Sequence, residues 1–133
     1  MTASVIAYIG MTHLGLCSAV AAASKGFEVR GFDRDTALVA RLSQGRWPVV
    51  EPGLDDLVAA NRSRLTFVSD ATELAGCDLI YVAPDVPTDE RGGSDLAELD
   101  QLVELALDAS RPGSVVVILS QVPPGYTRAR QRP

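Results

Sequence analysis

Apolar and polar positions fall in short blocks along this chain, and the blocks switch between strand-like runs and helical spacing. Val5 to Ile9 is a continuous apolar run that stops at Gly10, which predicts a strand buried on both faces. Leu14 to Lys25 predicts a helix, with Gly26 placed as its C-terminal cap. The small residues Ala19 and Ala21 to Ala23 suit a helix lying close to a sheet. Phe27 to Phe32 predicts a second strand. Asp35 to Gln44 predicts a short helix with Leu38, Val39 and Leu42 on one side, closed by Gly45.

Prolines and a glycine make Arg46 to Gly53 a loop, and a helix is expected from Leu54 to Asn61. Leu65 to Val68 predicts a third strand. Asp70 to Leu74 predicts a brief helix with Asp70 as N-cap. Leu79 to Ala83 predicts a fourth strand, and Pro84 to Gly93 a polar loop. Asp95-Leu96-Ala97-Glu98 reads as a capping box with Asp in place of Ser or Thr. Leu96, Leu99, Leu102, Val103 and Ala106 then recur at helical spacing until Pro112-Gly113. Ser114 to Leu119 predicts a fifth strand. Pro123-Pro124-Gly125 turns the chain, and Arg128 to Pro133 is a basic tail, read as a solvated end.

Strands alternating with helices imply an α/β fold: a doubly wound parallel sheet in three layers with right-handed crossovers. The expected strand order is 3-2-1-4-5. The length of 133 residues is that of one domain, and no internal linker or repeat divides it. Hydrophobic residues make up 47% and charged residues 22%, so a packed core is expected. The net charge of −5 argues against nucleic acid as a partner, because that role needs basic surface. Two cysteines, Cys17 and Cys77, make no disulfide framework, and with His13 as the single histidine no metal site is expected. No apolar run approaches the length of a membrane span, and the N-terminus lacks a secretory pattern, so the expected compartment is the cytoplasm.

The chemistry concentrates at Gly10-Met11-Thr12-His13-Leu14-Gly15, between the first strand and the first helix. A glycine turn there aims a helix N-terminus at a pyrophosphate, which is the layout of a Rossmann dinucleotide-binding unit. Gly10 would supply the tight turn, and Gly15 the close approach of helix to strand. Thr12 stands where the motif has its middle glycine. Either its hydroxyl donates to phosphate, or its methyl pushes the phosphate away. Asp33 follows Gly15 at close to the usual interval of about 20 residues. Its carboxylate suits the adenosine ribose hydroxyls and favours NAD over NADP; otherwise it caps a strand end. Arg34 beside it either stacks on adenine or pairs with a 2′-phosphate. His13 is a candidate ligand contact at the turn. Cys17 and Cys77 read as packing residues, since no base or basic partner accompanies either.

With these residues in view, the chain resembles the N-terminal NAD-binding domain of the UDP-glucose/GDP-mannose dehydrogenases. The resemblance covers nearly the whole chain. It rests on the glycine turn into Leu14-Gly15-Leu16, on Glu51-Pro52-Gly53-Leu54, on Gly93-Ser94-Asp95-Leu96, and on Ser120-Gln121-Val122-Pro123-Pro124-Gly125. It implies an oxidoreductase of nucleotide sugars that takes a primary alcohol to a carboxylate with NAD as hydride acceptor. It implies that Gly10, Thr12, His13, Leu14 and Gly15 surround the pyrophosphate and that Asp33 and Arg34 meet the adenosine. Ala83, Pro84, Asp85, Ser120 and Gln121 would line the nicotinamide end. The family usually has Thr-Pro where this chain has Asp85-Val86, and Glu-Ser-Thr where it has Leu119-Ser120-Gln121. Gln121 thus stands at the family's water-positioning threonine.

The family's catalytic cysteine and its sugar-nucleotide domain belong to a C-terminal half that nothing here matches. The resemblance therefore implies a truncated domain, 1–133, with no catalytic residue of its own and no activity alone. A nucleotide-sugar substrate would bind only with that missing half. Apolar surface left uncovered would favour self-association, as in a homodimer. A second reading is a redox-inactive Rossmann domain that binds a nucleotide or a partner protein.

Overall fold

A computed structural model describes residues 4–48, 50–88 and 90–130. Val49 and Asp89, in the two predicted loops, and Gln131 to Pro133 of the basic tail lie outside the described residues, as do Met1 to Ala3 at the start of the domain span. Five strands form one sheet: β1 (Val5–Ile9), β2 (Glu28–Phe32), β3 (Leu65–Val68), β4 (Leu79–Val82) and β5 (Val115–Ile118). All pairs are parallel, and the order is β3-β2-β1-β4-β5, as the sequence predicts. The chain winds outward from β1 to β3, then returns to β4 on the other side of β1. That reversal opens a crevice at the carboxyl ends of β1 and β4, where ligands bind in sheets of this kind.

Alternation along the strands divides the core in two. Ile6 and Tyr8 of β1 face α1 (His13–Ser24), α2 (Thr36–Ser43) and α3 (Leu54–Asn61), joining Leu16, Val20, Leu42 and Leu54. Ala7 and Ile9 face the opposite layer, α4 (Ala97–Ala109) and a 3₁₀ turn at Ala71–Leu74, joining Leu74, Leu99, Leu102 and Val103. The period of two in the strand side chains produces this three-layer arrangement. Tyr8 and Tyr81, adjacent in register on β1 and β4, stack with centroids 4.9 Å apart. Their burial in the first core, with each other as neighbours, pushes the Tyr8 hydroxyl above its ordinary range.

The differences from expectation have local causes. Asp95 accepts the Ala97 N–H at 3.1 Å, but its own N–H donates to the Pro87 carbonyl at 2.8 Å. Glu98 is therefore not the second half of a capping box, and α4 begins one residue late with Leu96 at its N-cap. Asp70 caps as predicted, but the turn after it is 3₁₀ rather than α-helical. β5 is an edge strand, so its apolar run is half exposed, and Val115 is 55% accessible. Of the tail arginines, Arg128 is exposed as expected, but Arg130 is not simply solvated. The Arg130 guanidinium lies 4.4 Å over the Tyr126 ring and bonds Asp100 at 2.8 Å, while the Tyr126 hydroxyl donates to the same oxygen at 2.6 Å.

Candidate functional site

The turn out of β1 is built by two glycines. Gly10 has φ +96°, a conformation side chains avoid, and its N–H donates to the Phe32 carbonyl at 2.9 Å. A Cβ on Gly15 would lie 2.0 Å from the Gly10 carbonyl oxygen, so only glycine lets α1 start this close to β1. The end of β2 is stitched to the same turn. Asp33 accepts the Met11 N–H on Oδ2 and the Asp35 N–H on Oδ1, both at 2.9 Å. Asp33 thus caps a strand end, and each of its oxygens still has a second lone pair for a ligand hydroxyl.

The Thr12 hydroxyl is engaged within the protein. Thr12 is the N-cap of α1, with Oγ1 accepting the Gly15 N–H at 3.2 Å. The same hydroxyl donates its one proton to the Ala83 carbonyl at 2.8 Å. That proton is committed to β4 and is not available to a phosphate. The helix start retains the N–H groups of His13 and Leu14, which precede any intrahelical acceptor. They carry the positive end of the helix dipole, the feature that receives an anion.

Beside this helix start is a cleft of about 320 Å³ at the carboxyl ends of β4 and β5. Leu14, Pro84, Asp85, Ser120 and Gln121 line it together, joined by Val86 and Leu119. Ala83 does not line it. It is 1% exposed, and its carbonyl takes the Thr12 proton. Ser120 donates to the Pro84 carbonyl at 2.5 Å, so two hydroxyls hold successive carbonyls at the end of β4. Asp85 and Gln121 are exposed at the cleft mouth. A smaller hollow of about 240 Å³ between Leu42, Trp47, Val58 and Phe67 gathers no carboxylate and no helix start.

His13 and Arg34 have protein partners. His13 Nε2 lies 2.8 Å from Glu51 Oε1, fastening the Glu51-Pro52-Gly53-Leu54 segment to the helix start. Arg34 donates to Gln101 at 2.7 Å and lies 3.7 Å from Glu98, both on α4. Both pairings are distant in sequence, and no local pattern marks them. Burial, with Glu51 nearby, pushes the Cys17 thiol up, and burial does the same for Cys77. Contrary to expectation a basic partner does accompany Cys77, since Arg30 Nη1 lies 4.0 Å from its sulfur, but burial outweighs that charge and keeps the thiol raised. Among the described residues no cluster of His, Cys, Asp and Glu is arranged to hold a metal. Among them too, no helix is long and apolar enough to cross a membrane.

The arrangement suits a dinucleotide: a glycine turn, two helix-start amides, a carboxylate with spare lone pairs, and a cleft in line with them. Comparison with known proteins points the same way. Residues 4–132 match the model of the UDP-glucose/GDP-mannose dehydrogenase family, NAD binding domain. The chain is 38% identical over 126 residues to UDP-glucose 6-dehydrogenase of Rhizobium meliloti, spanning 90% of this chain and 28% of that protein. It is 35% identical over 120 residues to UDP-glucose 6-dehydrogenase of Pseudomonas aeruginosa, spanning 88% of this chain and 26% of that protein. Among solved structures it superposes on a UDP-glucose dehydrogenase from Pyrobaculum islandicum with a TM-score of 0.87 at 29% identity, covering 97% of this chain and 32% of that one. The chain thus spans only about a quarter to a third of the length of these relatives. Fold, site and comparisons agree that this chain belongs to the UDP-glucose/GDP-mannose dehydrogenase family, as its NAD-binding domain.

Proposed function

We propose that residues 1–133 form one dinucleotide-binding domain that holds NAD for the oxidation of a nucleotide sugar's primary alcohol to a carboxylate. The observation that carries this reading is the meeting of the β1–α1 turn, Asp33 and the β4–β5 cleft on one edge of the sheet. Gly10, Gly15 and the N–H groups of His13 and Leu14 receive the pyrophosphate. Thr12 shapes that turn from below rather than touching phosphate through its proton. Asp33, with Arg34 beside it, receives the adenosine. Pro84, Asp85, Ser120 and Gln121 line the nicotinamide end, and Ala83 supports it from behind.

Bound NAD supplies the hydride acceptor; this chain binds and orients it. Gln121, where the resemblance places a water-positioning threonine, carries an amide at the cleft mouth that can hold a water. The nucleophile and most of the sugar-nucleotide pocket come from outside these residues, so the chain alone turns over no substrate. The compartment proposed is the cytoplasm, the substrate a nucleotide sugar, and nucleic acid is not a partner. The half-exposed β5 favours a homodimer of the isolated domain.

Calorimetric titration of the purified chain with NAD tests the coenzyme site, and an assay for NADH formation from UDP-glucose tests the division of labour. Micromolar NAD binding with no turnover is expected. Silence at millimolar NAD favours a domain that has lost redox function. NADH production by these 133 residues alone would show that they carry the whole active site.

A further inference from the structure

Arg34 occupies an unusual place. It leaves the carboxyl end of β2, one residue after Asp33, and reaches across to the first two turns of α4. Its guanidinium therefore spans the gap between the strand end that meets adenosine and the opposite helical layer. Its Nη1 is bonded to Gln101 Oε1 at 2.7 Å, and its Nη2 leans toward Glu98 Oε1 at 3.7 Å. Asp33 and Asp35 flank it in sequence; the Asp33 carboxylate accepts the Met11 and Asp35 N–H groups, and the Asp35 carboxylate caps α2 at Leu38. A guanidinium is the usual partner of a ribose 2′-phosphate, because its planar fork binds phosphate oxygens in pairs. Here Nη1 is bonded to α4 and Nη2 faces Glu98 at 3.7 Å, so the guanidinium is turned toward α4.

Resting on the coenzyme reading above, we infer that Arg34, tied to Gln101 and Glu98, is a gate that sets 2′-position specificity at the adenosine end of the site. Tied back, it closes the corner over the adenosine and leaves Asp33 as the group that meets the ribose edge. A 2′-hydroxyl donates to that carboxylate, whereas a 2′-phosphate meets acidic groups and a guanidinium held toward α4. The tie is solvent-exposed: the Arg34 side chain is 45% accessible and that of Glu98 60%. Exposed pairs of this kind are weak, so a change on α4 suffices to release the arginine. Specificity at this corner therefore resides partly in α4, far in sequence from the glycine turn.

The test compares NAD and NADP affinity by calorimetry in the chain, in Glu98→Gln combined with Gln101→Ala, and in that variant with Arg34→Met added. Circular dichroism and melting curves establish that each is folded. The expected result is an NADP-to-NAD affinity ratio that rises about threefold when the tie is removed, in keeping with a weak exposed pair. That gain should vanish once Arg34 is also replaced. A ratio that does not move, or a gain that persists without Arg34, overturns the gate while NAD binding stands. A chain that binds no NAD at all overturns the coenzyme reading, and the gate with it.

Discussion

Replacing Thr12 by valine keeps the shape of the side chain and deletes one hydroxyl. Two bonds are lost: the cap on the Gly15 N–H at 3.2 Å and the tie to the Ala83 carbonyl at 2.8 Å. The cap contributes about 1 kcal/mol. The hydroxyl–carbonyl bond contributes about another 1 kcal/mol. A domain of this size unfolds with an entropy of about 0.28 kcal/mol/K, so a loss of about 2 kcal/mol lowers the melting temperature by about 7 °C. Thr12→Ser retains both bonds and should melt within about 1 °C of the unaltered chain. Differential scanning calorimetry on the three proteins gives the comparison directly. A valine variant that melts with the parent, or a serine variant that falls as far as valine, would mean that the hydroxyl holds nothing together. The NAD titration adds a second reading. The proton is committed to β4, so Thr12→Ser should bind NAD as the parent does.

Gly15→Ala places a methyl 2.0 Å from the Gly10 carbonyl oxygen. Such main-chain overpacking costs about 3 kcal/mol and outweighs the gain of about 1 kcal/mol in helix propensity, so urea and thermal midpoints should both drop. Asp33→Asn keeps an acceptor for Met11 but loses the charge, and NAD affinity should fall about tenfold by calorimetry; unchanged affinity would remove Asp33 from the ribose site. The Asp78 carboxyl is held below its ordinary value of 3.8 first by the Val5 N–H, then by Arg111. Its folded value being lowered, Asp78 stabilises the fold above the ordinary aspartate range, and that contribution is lost as pH falls below it. In an acid series of melting curves, Asp78→Asn should therefore lose less stability than the parent over that range.

The fold was legible because its signals are local. Five strand-like runs, four of them flanked directly by glycine, proline or an acidic residue, specify strands whose parallel order follows from the alternating helices. The position of the site was legible for the same reason, since the turn after β1 and the acid after β2 lie within one βαβ unit. What the sequence concealed are bonds between residues far apart along the chain: Thr12 to Ala83, His13 to Glu51, Arg34 to Gln101, Arg130 to Asp100. A threonine in a glycine motif reads as a defect until β4 is seen to supply its acceptor. The capping box before α4 misled because the Asp95 N–H already had a partner in the preceding loop.

The paired hydroxyls of Thr12 and Ser120 have a further effect. By fixing the carbonyls of Ala83 and Pro84, they hold the segment after β4, of which Pro84 lines the cleft, in place without a ligand. Ordering that would otherwise oppose association is completed beforehand, which favours tighter capture. Thermal robustness and ligand grip are thus coupled through two oxygen atoms, and mutational drift at either one loosens both together.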